Sequence, residues 1–172
     1  MENIYVFTGM SGSGKTAIIQ NLTETTGYTI CKIYTTRPTR KNENKLCISK
    51  SEYQLLPDKH IEFFYNKHNY TITKNGFLNS DIIEMSPSGI KQIRRSELSK
   101  RLYVFYIHTN SNKRYQRMLK RGDSIGEIKS RIEFEKEEYK NIEDIIDYSV
   151  ENNILNVCTG KILSIINKLE NT

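Results

Sequence analysis

At 172 residues the chain has the length for one α/β domain with its own core, and is short for two. A formal charge of +6 allows a nucleic-acid surface, but lysine, asparagine and isoleucine recur throughout, so nucleic acid is not the expected partner. Three cysteines and three histidines, scattered and without metal-ligand spacing, exclude a disulfide framework and a zinc site and predict reduced thiols in a cytoplasm. No apolar run approaches the roughly 20 residues that span a bilayer. Met1-Glu2-Asn3 passes straight into an apolar run, so neither a membrane partner nor a signal peptide is expected.

That run, Ile4-Tyr5-Val6-Phe7-Thr8, reads as a first strand, and Gly9-Met10-Ser11-Gly12-Ser13-Gly14-Lys15-Thr16 follows it directly. The eight residues fit G-x-x-x-x-G-K-[ST], the phosphate-binding loop of P-loop proteins, in its strand–turn–helix setting. Gly9, Gly12 and Gly14 allow backbone conformations and close approaches that other residues do not. Backbone N–H groups of Ser11 to Thr16 at a helix N-terminus can cradle phosphate oxygens. Lys15 is expected to reach the β- and γ-phosphates of ATP, and the Thr16 hydroxyl to sit on Mg²⁺. A helix from Lys15 to about Thr26, with Ile18, Ile19 and Leu22 on one face and Gly27 as its cap, comes next.

Residues 28–34 predict a second strand that delivers Thr35-Thr36-Arg37-Pro38-Thr39-Arg40 into a loop. Two arginines three apart beside a proline suit bidentate phosphate binding, and also suit a solvated basic turn. Residues 41–51 are polar, interrupted by Leu46-Cys47-Ile48; a short helix is expected before Pro57, then two strands, 61–65 and 70–73, around a turn. Residues 33–79 thus predict a small β-rich insertion.

Residues 81–85 read as the next strand, with Glu84 at its end as a candidate to orient Mg²⁺ or, equally, to pair with a lysine. A helix from about Gly89 to Leu98 and a strand over 102–107 continue the β–α alternation, which predicts a parallel sheet with helices on both faces. Residues 112–120 form a basic helix closing at Arg121-Gly122, with Arg117 and Arg121 on one face. A second charged helix runs to about Asn141, so the pair predicts either a lid that carries arginines over the phosphates or a solvated hairpin. A short strand at 147–151 and an amphipathic helix from Ile154 to Leu169 close the chain.

Taken in order, these motifs resemble the guanylate kinase family of nucleoside monophosphate kinases over nearly the whole chain. Thr35 to Glu43 is similar to the family's Thr-Thr-Arg-x-Pro-Arg-x-Gly-Glu, with the proline moved by one and Asn42 replacing glycine. Ile61-Glu62 followed by Tyr70 resembles Phe-Leu/Ile-Glu and its later tyrosine, and residues 83–89 resemble Leu-Asp-Ile-Asp-x-Gln-Gly. Arg117-Met118-Leu119-Lys120-Arg121-Gly122 matches the lid's Arg-Leu-x-x-Arg-Gly, Arg131 sits at a further lid arginine, and Asp147 to Asn152 resembles the segment before the last helix.

The resemblance implies a three-layer P-loop fold. Its core would be residues 1–32, 80–115 and 141–172, with a monophosphate-binding region at 33–79 and a lid at 116–140. It implies ATP-dependent phosphorylation of GMP or dGMP. Arg37, Arg40 and Tyr70 would hold the acceptor phosphate, Glu62 would meet the guanine edge, and Arg117, Arg121 and Arg131 would stabilise the transferring group. Asn152 would lie near the donor's adenine. Against the family pattern, the tyrosine of an Asp-Tyr-x-Phe segment has no counterpart in Asn44-Lys45-Leu46-Cys47, Ser86 stands for a base-contacting aspartate and Ile33 for a serine. The guanine-reading set is reduced chiefly to Glu62. Two other activities fit the same motifs: a kinase of this fold with another phosphorylated acceptor, such as another nucleotide or a sugar phosphate, and a non-catalytic module that binds a phosphorylated ligand.

Overall fold

The computed structural model describes residues 2–38, 43–96 and 101–171. In chain order, β1 (Asn3–Thr8) and α1 (Lys15–Thr26) flank the glycine-rich loop; β2 (Ile33–Thr35), β3 (Lys45–Cys47), α2 (Lys50–Leu55), β4 (Lys59–Tyr65), β5 (His68–Thr73) and α3 (Lys74–Leu78) follow. Then come β6 (Ile82–Glu84), α4 (Pro87–Ile93), β7 (Arg101–His108), α5 (Ser111–Lys120), α6 (Ile125–Glu138), a 3₁₀ turn (Ile142–Ile145), β8 (Tyr148–Glu151) and α7 (Leu155–Glu170). The main sheet is parallel, in the order β6-β1-β7-β8; the smaller one runs β3-β2-β5-β4 and is mixed.

Because successive side chains of a strand point to opposite faces, β1 feeds two cores. Tyr5 and Phe7 face Ile18, Ile19 and Leu22 of α1 and Ile162 and Ile166 of α7. Ile4 and Val6 face the other way, onto Ile90 and Ile93 of α4. The second core continues without a break into the small sheet, through Ile61 and Phe63 of β4, Tyr70 and Ile72 of β5, and Phe77. Strands buried on both faces and carrying β-branched and aromatic residues are what a covered parallel sheet requires. No described helix is long and apolar enough to cross a membrane.

Several boundaries differ from the expectation. The strand expected over 28–34 divides: Ile30 bridges Ile82 at the edge of the main sheet, and only Ile33–Thr35 joins the small one. The Cys31 N–H to Ile82 carbonyl bond (2.8 Å) is the last tie to the main sheet before the chain crosses over. Leu46 and Cys47 belong to β3, paired parallel to β2, where an interrupted loop was expected. Helix α4 starts two residues before the expected Gly89, because Ser86 caps it by accepting the Gly89 N–H (3.3 Å) and Pro87 takes its first position. It also ends earlier than expected, at Ile93 with Arg94 as its cap, and the last two residues of the expected span lie outside the described residues. The turn between β4 and β5 holds Asn66 and Lys67 at φ 43° and 69°, the positive pair that a two-residue hairpin of this hand needs.

Candidate active site

The loop from Gly9 to Gly14 passes from the end of β1 into α1, and Gly14 adopts φ 95° as the residue that opens the helix. A Cβ on Gly14 would lie 2.2 Å from Asn152 Nδ2, and one on Gly12 2.6 Å from the Arg114 carbonyl oxygen. The loop is therefore pressed from outside by α5 and by Asn152. Its carbonyls are held by donors. Lys15 Nζ curls back to the Gly9 and Met10 oxygens, and Arg114 Nε donates to Ser11 O (2.9 Å). Arg117 donates to Gly12 O and Ser13 O (3.2 Å each), and Asn152 Nδ2 to Ser13 O (2.8 Å).

A cavity of about 410 Å³ opens beside the loop, within the size range of small-ligand sites. Lys15, Thr16, Arg117, Arg121 and Arg131 line it together with Arg37, Phe63, Tyr70, Glu84 and Ser86. Arg37 Nε donates to the Tyr70 hydroxyl (3.0 Å), and its guanidinium pairs with Glu43. The expected phosphate anchors Arg37 and Tyr70 therefore stand together, while Arg40 lies outside the described residues. Arg121 pairs with Asp123, whose carboxylate also sits 3.7 Å from Arg131. Glu84, opposite Phe7 of β1, pairs with Lys45 at 3.1 Å. Burial would push the Glu84 carboxyl up, but Lys45 and Lys15 outweigh it and hold it below its usual value. Burial pulls Lys15 down from the ordinary lysine value, against the attraction of Glu84 and Glu135.

One expected residue is placed elsewhere. Glu62 points out of the small sheet: Ile61 and Phe63 face the core, whereas the Glu62 side chain is 50% exposed and bound to Lys59 (3.0 Å). The strand's alternation leaves it no route to the cavity. Asn152 is buried and serves the loop from behind; its backbone oxygen accepts from Arg117 (3.2 Å) and from Thr109 (3.0 Å).

Other residues came with no motif. Glu135 of α6 is fully buried, accepts from the Ser11 N–H (2.8 Å) and pairs with Arg114 (3.2 Å). Tyr65 of β4 donates to the same carboxylate (3.0 Å), and the Tyr139 hydroxyl accepts the Gly9 N–H (3.2 Å). Nothing in the run Glu133-Phe134-Glu135-Lys136-Glu137-Glu138 separates Glu135 from its neighbours. A signal existed only in its place on the buried face of the helix, beside Ile128.

The residues present fit a magnesium nucleotide: among the described residues Arg131 Nε is buried without a hydrogen-bond partner, and it shares the cavity with Thr16 and with Glu84, whose carboxylate is held by Lys45. A glycine-rich loop with its lysine at a helix N-terminus, and three arginines sharing a cavity with the Arg37–Tyr70 pair, are the arrangement of a P-loop phosphotransferase of the nucleoside monophosphate kinase class. The guanylate kinase family model matches residues 1–169, and the chain belongs to that family. A guanylate kinase of Buchnera aphidicola subsp. Baizongia pistaciae is 29% identical over 95% of this chain and 86% of its own. The crystal structure of guanylate kinase from Anaplasma phagocytophilum shares the fold, with TM-score 0.66 at 15% identity over 97% of this chain and 85% of that one. An uncharacterized protein from Eubacterium ventriosum aligns with TM-score 0.58 at 10% identity over 96% and 99% of the two chains.

Proposed function

We propose that the protein transfers the terminal phosphoryl group of ATP to GMP or dGMP, giving ADP and GDP or dGDP. The observation that carries this reading is the meeting, in one cavity, of the Lys15 loop and the lid arginines with the Arg37–Tyr70 pair. Arg37 and Tyr70 anchor the acceptor phosphate, one of whose oxygens attacks the terminal phosphorus as the bond to the bridging oxygen of ADP breaks. Lys15, Arg117, Arg121 and Arg131 offset the charge that spreads over the equatorial oxygens. Magnesium, on Thr16 and near Glu84, would neutralise charge on the donor phosphates. No side chain is modified in the reaction; orientation and fixed charge supply the rate.

Regions 33–79 and 116–140 act as the acceptor-binding part and the lid, which close to exclude water as a competing acceptor. Asn152 sets the loop on which the donor sits. With Cys31 and Cys158 buried and Cys47 exposed, all as thiols, the reducing cytoplasm is its place of work.

The test is a coupled ADP assay with MgATP against GMP, dGMP, AMP, CMP, UMP and TMP. Turnover with GMP and dGMP far above the rest is expected. Faster turnover with another monophosphate would replace guanine as the substrate, and ADP release with none of them would leave only a binding module.

A further inference from the structure

Glu135 is an unusual group for the lid helix to carry: a carboxylate with no exposure, on an element otherwise covered in solvated charge. Burying a carboxylate is costly unless its hydrogen-bonding capacity is used. Here it is used on three sides. Oε1 accepts from the Ser11 N–H of the phosphate loop (2.8 Å) and from the Tyr65 hydroxyl of the small sheet (3.0 Å), while Oε2 faces Arg114 (3.2 Å). Arg114 in turn donates to the Ser11 carbonyl (2.9 Å), so the Ser11 residue is held at both its N–H and its C=O by one ion pair.

Tyr65 is equally constrained. Its ring meets Phe134 of the lid helix edge-on at 4.9 Å and Tyr70 at 6.3 Å, and Tyr70 accepts from Arg37. Burial pushes the Tyr65 phenol far up, so it stays a neutral donor at any working pH. A chain of direct contacts therefore runs from the acceptor anchors, through Tyr65 and one carboxylate oxygen, to the loop that receives the donor.

We propose that Glu135 is a positioning residue that couples the two nucleotide sites, because Tyr65 on the acceptor side and the Ser11 peptide on the donor side share its Oε1. The proposal rests on the assignment of the two sites as donor and acceptor. Acceptor phosphate on Arg37 and Tyr70 holds Tyr65 in place, Tyr65 holds the carboxylate, and the carboxylate orders the Ser11 peptide before ATP arrives. Ordering done by the first ligand need not be repeated for the second, so the second binds more tightly.

The experiment is calorimetric titration of the protein with the non-hydrolysable imido analogue of ATP and Mg²⁺, alone and at saturating GMP. The ratio of the two dissociation constants is read in the wild type, Tyr65→Phe and Glu135→Gln. A wild-type ratio on the order of fivefold or more is expected, in the range of measured site-to-site couplings, falling to about one in both variants. A merely structural loss weakens single-site binding and leaves the ratio alone. Tyr65→Phe keeps the ring contacts and removes one hydroxyl, so it answers the question even if Glu135→Gln, which strands Arg114, unfolds the protein. A wild-type ratio of one with GMP bound, or a ratio unchanged in Tyr65→Phe, overturns the coupling alone. Failure of GMP to bind the wild type overturns the acceptor assignment and the coupling with it.

Discussion

The proposed function places Lys15 at the donor phosphates, and its surroundings shift its titration. Burial lowers its pKa from the ordinary 10.5, and the positive neighbours Lys45 and Arg114 add to the shift. A lysine lowered in this way is protonated below the lowered value and loses its charge as pH rises through it. Since kcat/KM reports the free enzyme, the alkaline limb of kcat/KM for ATP is expected below pH 10.5. A limb at or above that value would exclude Lys15 as its source. Lys15→Ala should lower kcat by about 10²-fold or more with an unchanged circular dichroism spectrum. Wild-type turnover would remove the loop from the mechanism. Glu62→Ala, by contrast, alters a half-exposed side chain outside the cavity. It should shift stability by no more than about 0.5 kcal/mol and leave the preference among acceptors as it was; a selective loss with GMP would bring Glu62 back to the base. The loop residues were legible in the sequence because each task demands one residue type at one spacing. Glu62 was misplaced because an acid next to an isoleucine looks the same on either face of a strand, and only the pairing of β4 with β5 decides. Glu135 was illegible because burial, its distinguishing property, arises from three elements far apart in the chain.

Among the elements, helix ends separate strain from contact. Gly27 caps α1 at φ 75°, with its N–H on Thr23 O (2.9 Å) and nothing within 4 Å of where a Cβ would stand. Gly27→Ala therefore costs only the left-handed conformation, about 1–2 kcal/mol, read as a lower midpoint in urea with kinetics unchanged at 25 °C. Gly14→Ala meets the same kind of strain at φ 95° and also drives a methyl group into Asn152. It should lose ATP binding beyond what its stability loss explains; a variant that binds ATP normally would show that Asn152 can give way. Long periodic elements such as α1 and α7 were plain from the sequence, since a 3.6-residue period over three turns or more has few alternatives. The 28–34 stretch was not. Its residues suit a strand throughout, and the crossover between sheets is set by hydrogen bonds to Ile82 that no local pattern encodes.

At the scale of the whole molecule, the second core joins Ile4, Val6 and Val104 of the main sheet to Ile72 and Phe77 of the small region in one unbroken cluster. The small region has no separate interior, so it should not melt alone. In urea, far-ultraviolet dichroism and the emission of the eleven tyrosines, with no tryptophan to mask them, should trace one coincident transition. An earlier loss in either signal would mean two cooperative units.

Where that shared core meets α4, the Phe63 ring lies against Gly89, at 3.1 Å from the position of an absent Cβ. A flat ring on a helix surface with no side chain beneath it forms a bearing, with no ridge for either partner to climb. The region that the proposed function assigns to the acceptor shares the main core too widely to swing like a door. The closure proposed above would then be a shear of packed surfaces rather than a hinge. A single methyl group at position 89 would press on the Phe63 ring, itself part of the cavity wall, and would act as a brake on that closure.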